Sequence, residues 1–575
     1  MNKSIILPIL FLIFSTQIML SNNQSSLYIK KNNGSYWEIP LNIIDSSVIN
    51  QNEQTIYLKN DTTISINTNE IILGQFLPPE GPQFKVFHFN NKFNSQLTTD
   101  VECILENRIW SGTVPNIGHY LVPSFQLDPG ISVWLDTFQI KSKITPVNFK
   151  DTLYFTLKDS NIVVIDTISN RGISYQPKKS QVGVAIHFPL DTAKICRVDI
   201  YTENGVKIKS KETYVKALIK ISSNGVYEEF IDSTYIRGRG NTTWSYKKKP
   251  YRLKLYNKGK PFDLKKGKNW VLLANALDRS LMCNAVSMKM GHIIGVKYTN
   301  NIVPIELYIN DEYLGNYMFT EKVGIANNSV DIEETSGAYL LELDSYFDED
   351  YKGKSEICSL PVQVKDPDLN DYSPDSAQLL LTRYLKDFNE FEYSIMKDSG
   401  EAFLNYMDLE SLIKWTFVYD LSMNLEVNHP KSLFLYRQDT LGALFEMGPL
   451  WDFDYAYSYE TDLDYFKQFE QPFSWDPVNE LGSTISHSGR HFFGQIMKNE
   501  YILRHYSQFC KDFEGHLPEL IDFIDSYYHY CQESFKHDAT IWPERRNLDT
   551  YIPKLKEWLP KRYYYILSRY FKSEE

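Results

Sequence analysis

The spacing of apolar residues changes twice along this chain, and that change commits it to a multidomain architecture. From about 27 to 180 apolar and polar residues alternate, as in Gln54-Thr55-Ile56-Tyr57-Leu58, Thr63-Ile64-Ser65-Ile66 and Ile131-Ser132-Val133-Trp134-Leu135. Clusters of Asn, Asp, Gly and Pro punctuate these runs. A period of two predicts an all-β, sandwich-like N-terminal region. From about 185 strands are predicted at Ala185 to Phe188, Val198 to Tyr201 and Val215 to Ile221. A helix over Asp278 to Ile294 follows, with Asp278 as its cap. A hairpin then pairs 303–309 with 313–321, which completes an α+β order. Beyond about 370 the period becomes helical, over 375–398 and 401–421. A β pair at 432–436 and 444–447 and a helical tail from about 490 to 574 close the chain. The predicted divisions are 1–22, 27–180, 185–490 and 491–575, with Pro177-Lys178-Lys179-Ser180 at the first large boundary.

With 575 residues the chain exceeds one ordinary core, and its 43% hydrophobic content suffices to bury several. Its net charge of -12, with no basic stripe beyond Lys247 to Lys249, argues against a nucleic-acid partner. The N-terminus reads as a signal peptide: Lys3, an apolar stretch from Ile5 to Met19, then polar Ser21 to Gln24. The stretch is short for a membrane span. No cysteine stands just after it to carry a lipid. The expectation is an exported protein, periplasmic, cell-surface or secreted, with no transmembrane segment after signal removal. The six cysteines are scattered without a Cys-x-x-Cys pair, which excludes zinc and redox motifs on spacing. Cys510 and Cys531 share one helical region and either pair or remain buried thiols.

The chemistry-bearing residues concentrate in a few segments. In Ile236-Arg237-Gly238-Arg239-Gly240-Asn241-Thr242-Thr243-Trp244 a strand would turn Arg237 and Arg239 to one face. Arg252 and Lys254, in Lys248-Lys249-Pro250-Tyr251-Arg252-Leu253-Lys254-Leu255, share a face in the same way. Cations aimed together suit phosphates, and the two glycines would leave the backbone accessible. Basic strand edges also guard against edge-to-edge pairing, so the residues alone leave both readings open. No Walker A spacing is present. Asp452 and Asp454 would alternate on a strand and face one metal ion, or Asp454 would cap the next turn. His429 serves as an ordinary hydrogen-bonding loop residue or as a base. Glu460, Asp462 and Asp464 form a solvated acidic loop or a calcium site. Trp451, Tyr455, Tyr457, Tyr459, Tyr465 and Phe466 line a sugar cleft or pack in the interior.

In order along the chain these segments resemble the CotH kinase family, the spore coat protein H-like secreted proteins of bacteria. The Arg237 to Leu255 stretch is similar to its Arg-x-Arg-Gly-Asn-Ser/Thr-Thr-Trp … Lys-Lys-Pro-Tyr-Arg-Leu-Lys signature. Asn269-Trp270-Val271-Leu272-Leu273-Ala274-Asn275 before Asp278 is similar to the next motif, with Cys283 at the family's usual Arg and Asn284 after it. Glu306 to Glu321 resembles the family hairpin, and Gly448-Pro449-Leu450-Trp451-Asp452-Phe453-Asp454 its late Trp-Asp-x-Asp motif. The resemblance implies a distantly protein-kinase-like α+β domain that uses ATP and Mg²⁺ or Mn²⁺. It implies that Arg237, Arg239, Arg252 and Lys254 contact the nucleotide, with Glu321-Lys322-Val323 where a kinase links its lobes and Glu321 as a cofactor contact. Asp452 would be catalytic and, with Asp454 and Ser432, hold metal. Glu426 stands where the family has its catalytic-loop Asp, and Ser432 where it has Asn. Lys431 would serve phosphate or pair with Glu426. The implied activity is phosphoryl transfer to a protein or another hydroxyl acceptor. The alternative is a non-catalytic cell-surface protein that binds carbohydrate or peptide on the same scaffold, with a protein or glycan partner in either case.

Overall fold

The computed structural model describes residues 26–570, apart from 33–35, 50–52, 59–62, 68–70, 76–80, 95–96, 98–99, 108, 115–118, 170–171, 188–194, 223–226, 399, 459–465, 467, 471–487 and 544–547. The chain divides into two compact units, one of Met1–Phe93, Asp100–Val114 and Leu121–His187, the other of Asn94–Thr99, Pro115–Tyr120 and Phe188–Glu575. The expected signal peptide lies outside the described residues.

The first unit is β-rich, as its period of two predicts. Its largest sheet has nine strands and is centred on a long hairpin, Leu153–Ser169 with Gly172–His187. A three-stranded sheet pairs Ile44–Ile49, Glu53–Leu58 and Thr63–Asn67. Phe84, Phe87, Phe89, Phe149 and Phe155 are buried together, with edge-on contacts such as Phe89 to Phe149 at 5.1 Å between ring centroids.

The second unit begins with a closed seven-stranded barrel. Its strands are β1 (Cys196–Thr202), β2 (Val215–Ser222), β3 (Phe230–Gly238), β4 (Tyr251–Gly259), β5 (Gly267–Leu273), β6 (Val303–Ile309) and β7 (Glu312–Glu321). They run β1-β2-β3-β4-β5-β7-β6, and β6 closes on β1 in parallel. Alternation sets the inside from the outside. Ile236, Tyr251, Leu253, Leu255, Trp270 and Leu272 fill the interior, so Arg237, Arg252, Lys254 and Val271 fall on the outer face.

Between β5 and β6 lies helix α1 (Cys283–Ile294), almost wholly buried. It begins five residues later than predicted. Asp278 still stabilises its start, accepting the Cys283 N–H at 2.7 Å, but a turn held by Ser280 occupies the intervening residues. A five-stranded sheet follows: β8 (Tyr339–Leu343), β9 (Lys352–Lys354), β10 (Pro361–Asp366), β11 (Leu433–Arg437) and β12 (Phe445–Met447), in the order β9-β10-β8-β11-β12. Helices α2 (Pro374–Lys397) and α3 (Leu409–Leu421) interrupt it, and α4 (Ser488–Ile496), α5 (Glu500–Asp512), α6 (Leu517–Ile541) and α7 (Leu548–Tyr570) complete the unit. The predicted helix over 401–421 is corrected to a short 3₁₀ turn at Ala402–Asn405 and a helix that starts when Asp408 caps Ser411. One large apolar core joins α1, the sheet and these helices. No described helix is long and apolar enough to cross a membrane. All six cysteines are buried free thiols, and Cys510 and Cys531 are not joined.

Candidate functional site

The outer face of the barrel and residues of β8, β10 and β11 in the five-stranded sheet enclose a cavity of about 770 Å³. Strand register builds its cationic wall. Arg237 on β3 pairs with Arg252 on β4, which pairs with Val271 on β5. One step along, Lys254 pairs with Asn269. Arg239 follows the end of β3, its backbone N–H bonded to the Pro250 carbonyl at 3.2 Å, and its guanidinium lies 5.3 Å from the centre of the Trp451 ring. All four predicted cations therefore line the cavity. Burial pulls the guanidinium pKa values of Arg239 and Arg252 down from their usual range. Arg237 differs, because its guanidinium is held by the Lys211 carbonyl and by Glu212. Gly238 does not leave the backbone open. Trp244 lies against it, and a Cβ there would come within 2.3 Å of the ring.

Carboxylates form the opposite wall. Asp452 sits in no strand, which corrects the predicted alternation with Asp454. Its φ of 60° places it in the left-handed region and breaks the extended run. Both side chains still line the cavity. Asp454 is buried and accepts a 2.6 Å hydrogen bond from Asn284 Nδ2, while Asn284 Oδ1 accepts the Phe453 N–H at 2.9 Å. Helix α1 thus fixes the late acidic motif through one asparagine. Burial, then the charge of Asp452, raises the Asp454 carboxyl to about 8. Burial also raises Asp452, against the lowering influence of Arg239 and Lys431. Glu426, in the short turn Leu425–Val427, is raised well above the usual range by burial and then by Asp452, opposed by Lys431. Its Oε2 is enclosed without a hydrogen-bond partner.

Lys431 and Ser432 also line the cavity. The Lys431 ammonium lies over the Tyr346 ring at 5.0 Å, and Ser432, at φ 52°, donates its N–H to Asp344 Oδ2 at 3.2 Å. Glu321 is the predicted residue that does not reach the cavity. It pairs in register with Trp270, whose ring fills the barrel interior, so its side chain falls on the other face. There it accepts from the N–H and the side-chain amide of Asn301, at 2.9 and 2.5 Å. Lys322, one residue on, lines the cavity instead. His429 is exposed and is not among the lining residues. Tyr457 and Phe466 pack in the core, Tyr455 and Trp451 line the cavity, and Tyr459, Tyr465, Glu460, Asp462 and Asp464 lie outside the described residues.

Sequence reasoning missed Glu342, Asp344 and Lys365, which all line the cavity, and of the segment Glu321-Lys322-Val323 it singled out Glu321 as the contact. Glu342 bonds Lys365 at 2.7 Å. Asp344, raised to about 7 by burial and then by Glu342, holds Ser432 in place. The available signal was Tyr339-Leu340-Leu341-Glu342-Leu343-Asp344, two acids on an otherwise apolar strand run.

Arg252 Nε on one wall and Glu426 Oε2 on the other are buried without partners, which fits a ligand that both accepts hydrogen bonds and brings cations. No group of three or more His, Cys, Asp or Glu side chains among the described residues is placed to hold a metal ion unaided. The donor set nonetheless suits Mg²⁺, which is commonly held by one or two carboxylates together with substrate phosphates and water.

No curated protein matches the chain. One solved structure that matches is a Bacteroides thetaiotaomicron protein described as a proposed glycoside hydrolase, at 13% identity. The match covers 40% of this chain and 60% of that one, and its TM-score of 0.13 carries no argument about fold. The family model for CotH kinase protein matches residues 236–566, a span that holds both walls of the cavity. The chain belongs to the CotH kinase protein family.

Proposed function

We propose that this is an exported phosphotransferase that moves a phosphoryl group from ATP, with Mg²⁺ or Mn²⁺, to a hydroxyl of a protein or other surface acceptor. One observation carries the reading: Arg239, under the charges of Asp452 and Asp454, lines one cavity with Arg252 and Glu426. Phosphoryl transfer needs cations on the phosphates, a carboxylate-held metal and a carboxylate that orients the acceptor. Arg239, Arg252 and Lys254 would contact the phosphates, with Arg237 bracing the strand beside them. Asp452, with Asp454, would hold the metal, and Ser432 would add an oxygen. Bound Mg²⁺ supplies charge neutralisation on the donor oxygens. Glu426 would accept the acceptor's hydroxyl hydrogen, and Lys431, which lowers its pKa, favours the ionised form that this role requires.

A second reading has its own support. Burial and the charge of Asp452 together favour a protonated Glu426. A neutral carboxyl donates a hydrogen bond to a ligand rather than acting as a base, which suits a non-catalytic glycan- or peptide-binding protein. Labelled ATP with Mg²⁺ or Mn²⁺ and a mixed acceptor pool, tested beside Asp452→Ala, separates the two. Metal-dependent transfer lost in the variant is expected. No nucleotide binding, with retention on a glycan array, would establish the binder instead.

A further inference from the structure

The cavity carries a second cationic centre apart from the one that faces Asp452. On the outer face of the barrel Arg252 and Lys254 stand two residues apart on β4, with Val271 and Asn269 as their partners on β5. Lys322, just past β7, donates its backbone N–H to the Asn269 carbonyl, so it joins the row of Lys254 and Asn269. The Lys322 ammonium forms no hydrogen bond or ion pair among the described residues, and Arg252 Nε and Asn269 Oδ1 are buried without partners. The charged groups that face Lys322 are Arg252 on β4, Lys365 and Asp366 on β10, and Glu349 on the β8–β9 connection. Asp452 interacts instead with Arg239, Lys431, Glu426 and Asp454. The two sets share no member. Arg252 acts on Arg239 as well.

We propose that Lys322 and Arg252 form a second anion subsite, so that the cavity takes a ligand with two separated anionic groups, one at Arg239 and Asp452 and one at Lys322. Both side chains are hydrogen-bond donors only. The subsite therefore selects a phosphate, a carboxylate or an acceptor-rich edge at the end of the ligand remote from Asp452. It uses the same cavity as the proposed phosphotransferase but does not require turnover. Burial, reinforced by Arg252, lowers the Lys322 ammonium to about 8, so the charge available to an anion is lost above that pH.

Titration calorimetry of the full chain with inorganic tripolyphosphate, without metal, tests this. Lys322→Met is expected to weaken binding about tenfold or more, the scale of one charge-assisted hydrogen bond. Lys322→Arg should stay within about threefold of wild type, and Asp452→Ala should bind as well or more tightly because a repelling carboxylate is gone. The wild-type affinity relative to Lys322→Arg should fall above pH 8. Should Lys322→Met not fold, the pH comparison still decides, because a flat ratio overturns the proposal. Unchanged affinity in a folded Lys322→Met overturns it too. A Lys322→Met effect without any transfer from ATP would sink the phosphotransferase alone. Transfer with an indifferent Lys322→Met would sink the subsite alone.

Discussion

The acids of the cavity are held where ionisation is unfavourable. Asp454, Asp452, Asp344 and Glu426 are all raised, each first by burial. An acid whose folded pKa lies above its unfolded value binds more protons in the native state, so stability falls as pH rises between the two values. For Asp454 that window runs from 3.8 to about 8. Asp454→Asn keeps an oxygen to accept from Asn284 and removes the charge. It is expected to raise the thermal midpoint at pH 8, with the gain fading towards pH 4, in a melting series over that range. Mg²⁺ should stabilise the wild type at pH 8 and leave Asp454→Asn nearly unmoved, which a melt with and without metal reads directly. An acceptor at Asp454 was legible in the Trp-Asp-Phe-Asp motif, but its environment was not, because burial depends on α1, which lies some 170 residues earlier. The part played by Lys322 within Glu321-Lys322-Val323 was hidden for a related reason. Its neighbour Glu321 stood out in the hairpin, and only the register against Trp270 shows which of the two faces the cavity.

At the scale of elements, strands were read more reliably than their ends. Alternation on β3 and β4 set Arg237, Arg252 and Lys254 on one face, and the barrel keeps them there. That the strands close into a barrel, with β6 beside β1, is a long-range parallel pairing that no local pattern encodes. The start of α1 moved because Asp278 and Ser280 offer the backbone a turn that competes with helix. The late acidic motif moved further, from strand to loop, because Asp452 adopts a left-handed conformation and Asn284 on α1 supplies the bonds that a neighbouring strand would have supplied. Asn284 is therefore the joint between α1 and this loop. It donates to Asn275 at 3.0 Å as well as to Asp454, and it accepts from Phe453. Asn284→Ala leaves buried partners unsatisfied and is expected to cost about 2–4 kcal/mol in chemical denaturation. Because the joint carries Asp452 and Asp454, the variant should also lose more transfer activity than its loss of folded fraction explains.

Across the second unit, buried polar contacts fasten the barrel to the helices. Lys248, between β3 and β4, reaches Asp538 of α6 at 2.6 Å and the Asn316 carbonyl of β7 at 2.5 Å. Asp538 also accepts the Asn316 N–H at 2.8 Å, and Asn316 Nδ2 donates to Ser534 at 3.0 Å. Lys248 is 3% exposed and Asp538 not at all, so neither charge has water to fall back on. Gly315 lets the two elements come this close, since a Cβ there would sit 2.3 Å from Asp538 Oδ1. Desolvating a pair offsets most of its attraction, so the pair adds little net stability, yet removing one partner strands the other. Asp538→Ala is expected to destabilise the unit by about 3–5 kcal/mol in denaturant unfolding. Lys248→Met combined with Asp538→Leu should recover most of that loss but not all, because the Asn316 N–H remains without its acceptor. A double variant no more stable than Asp538→Ala would mean that the charge pair is not what joins barrel to helix. If the fastening also sets the spacing of the walls, the double variant should fold and yet bind tripolyphosphate more weakly than wild type, with every cavity residue intact.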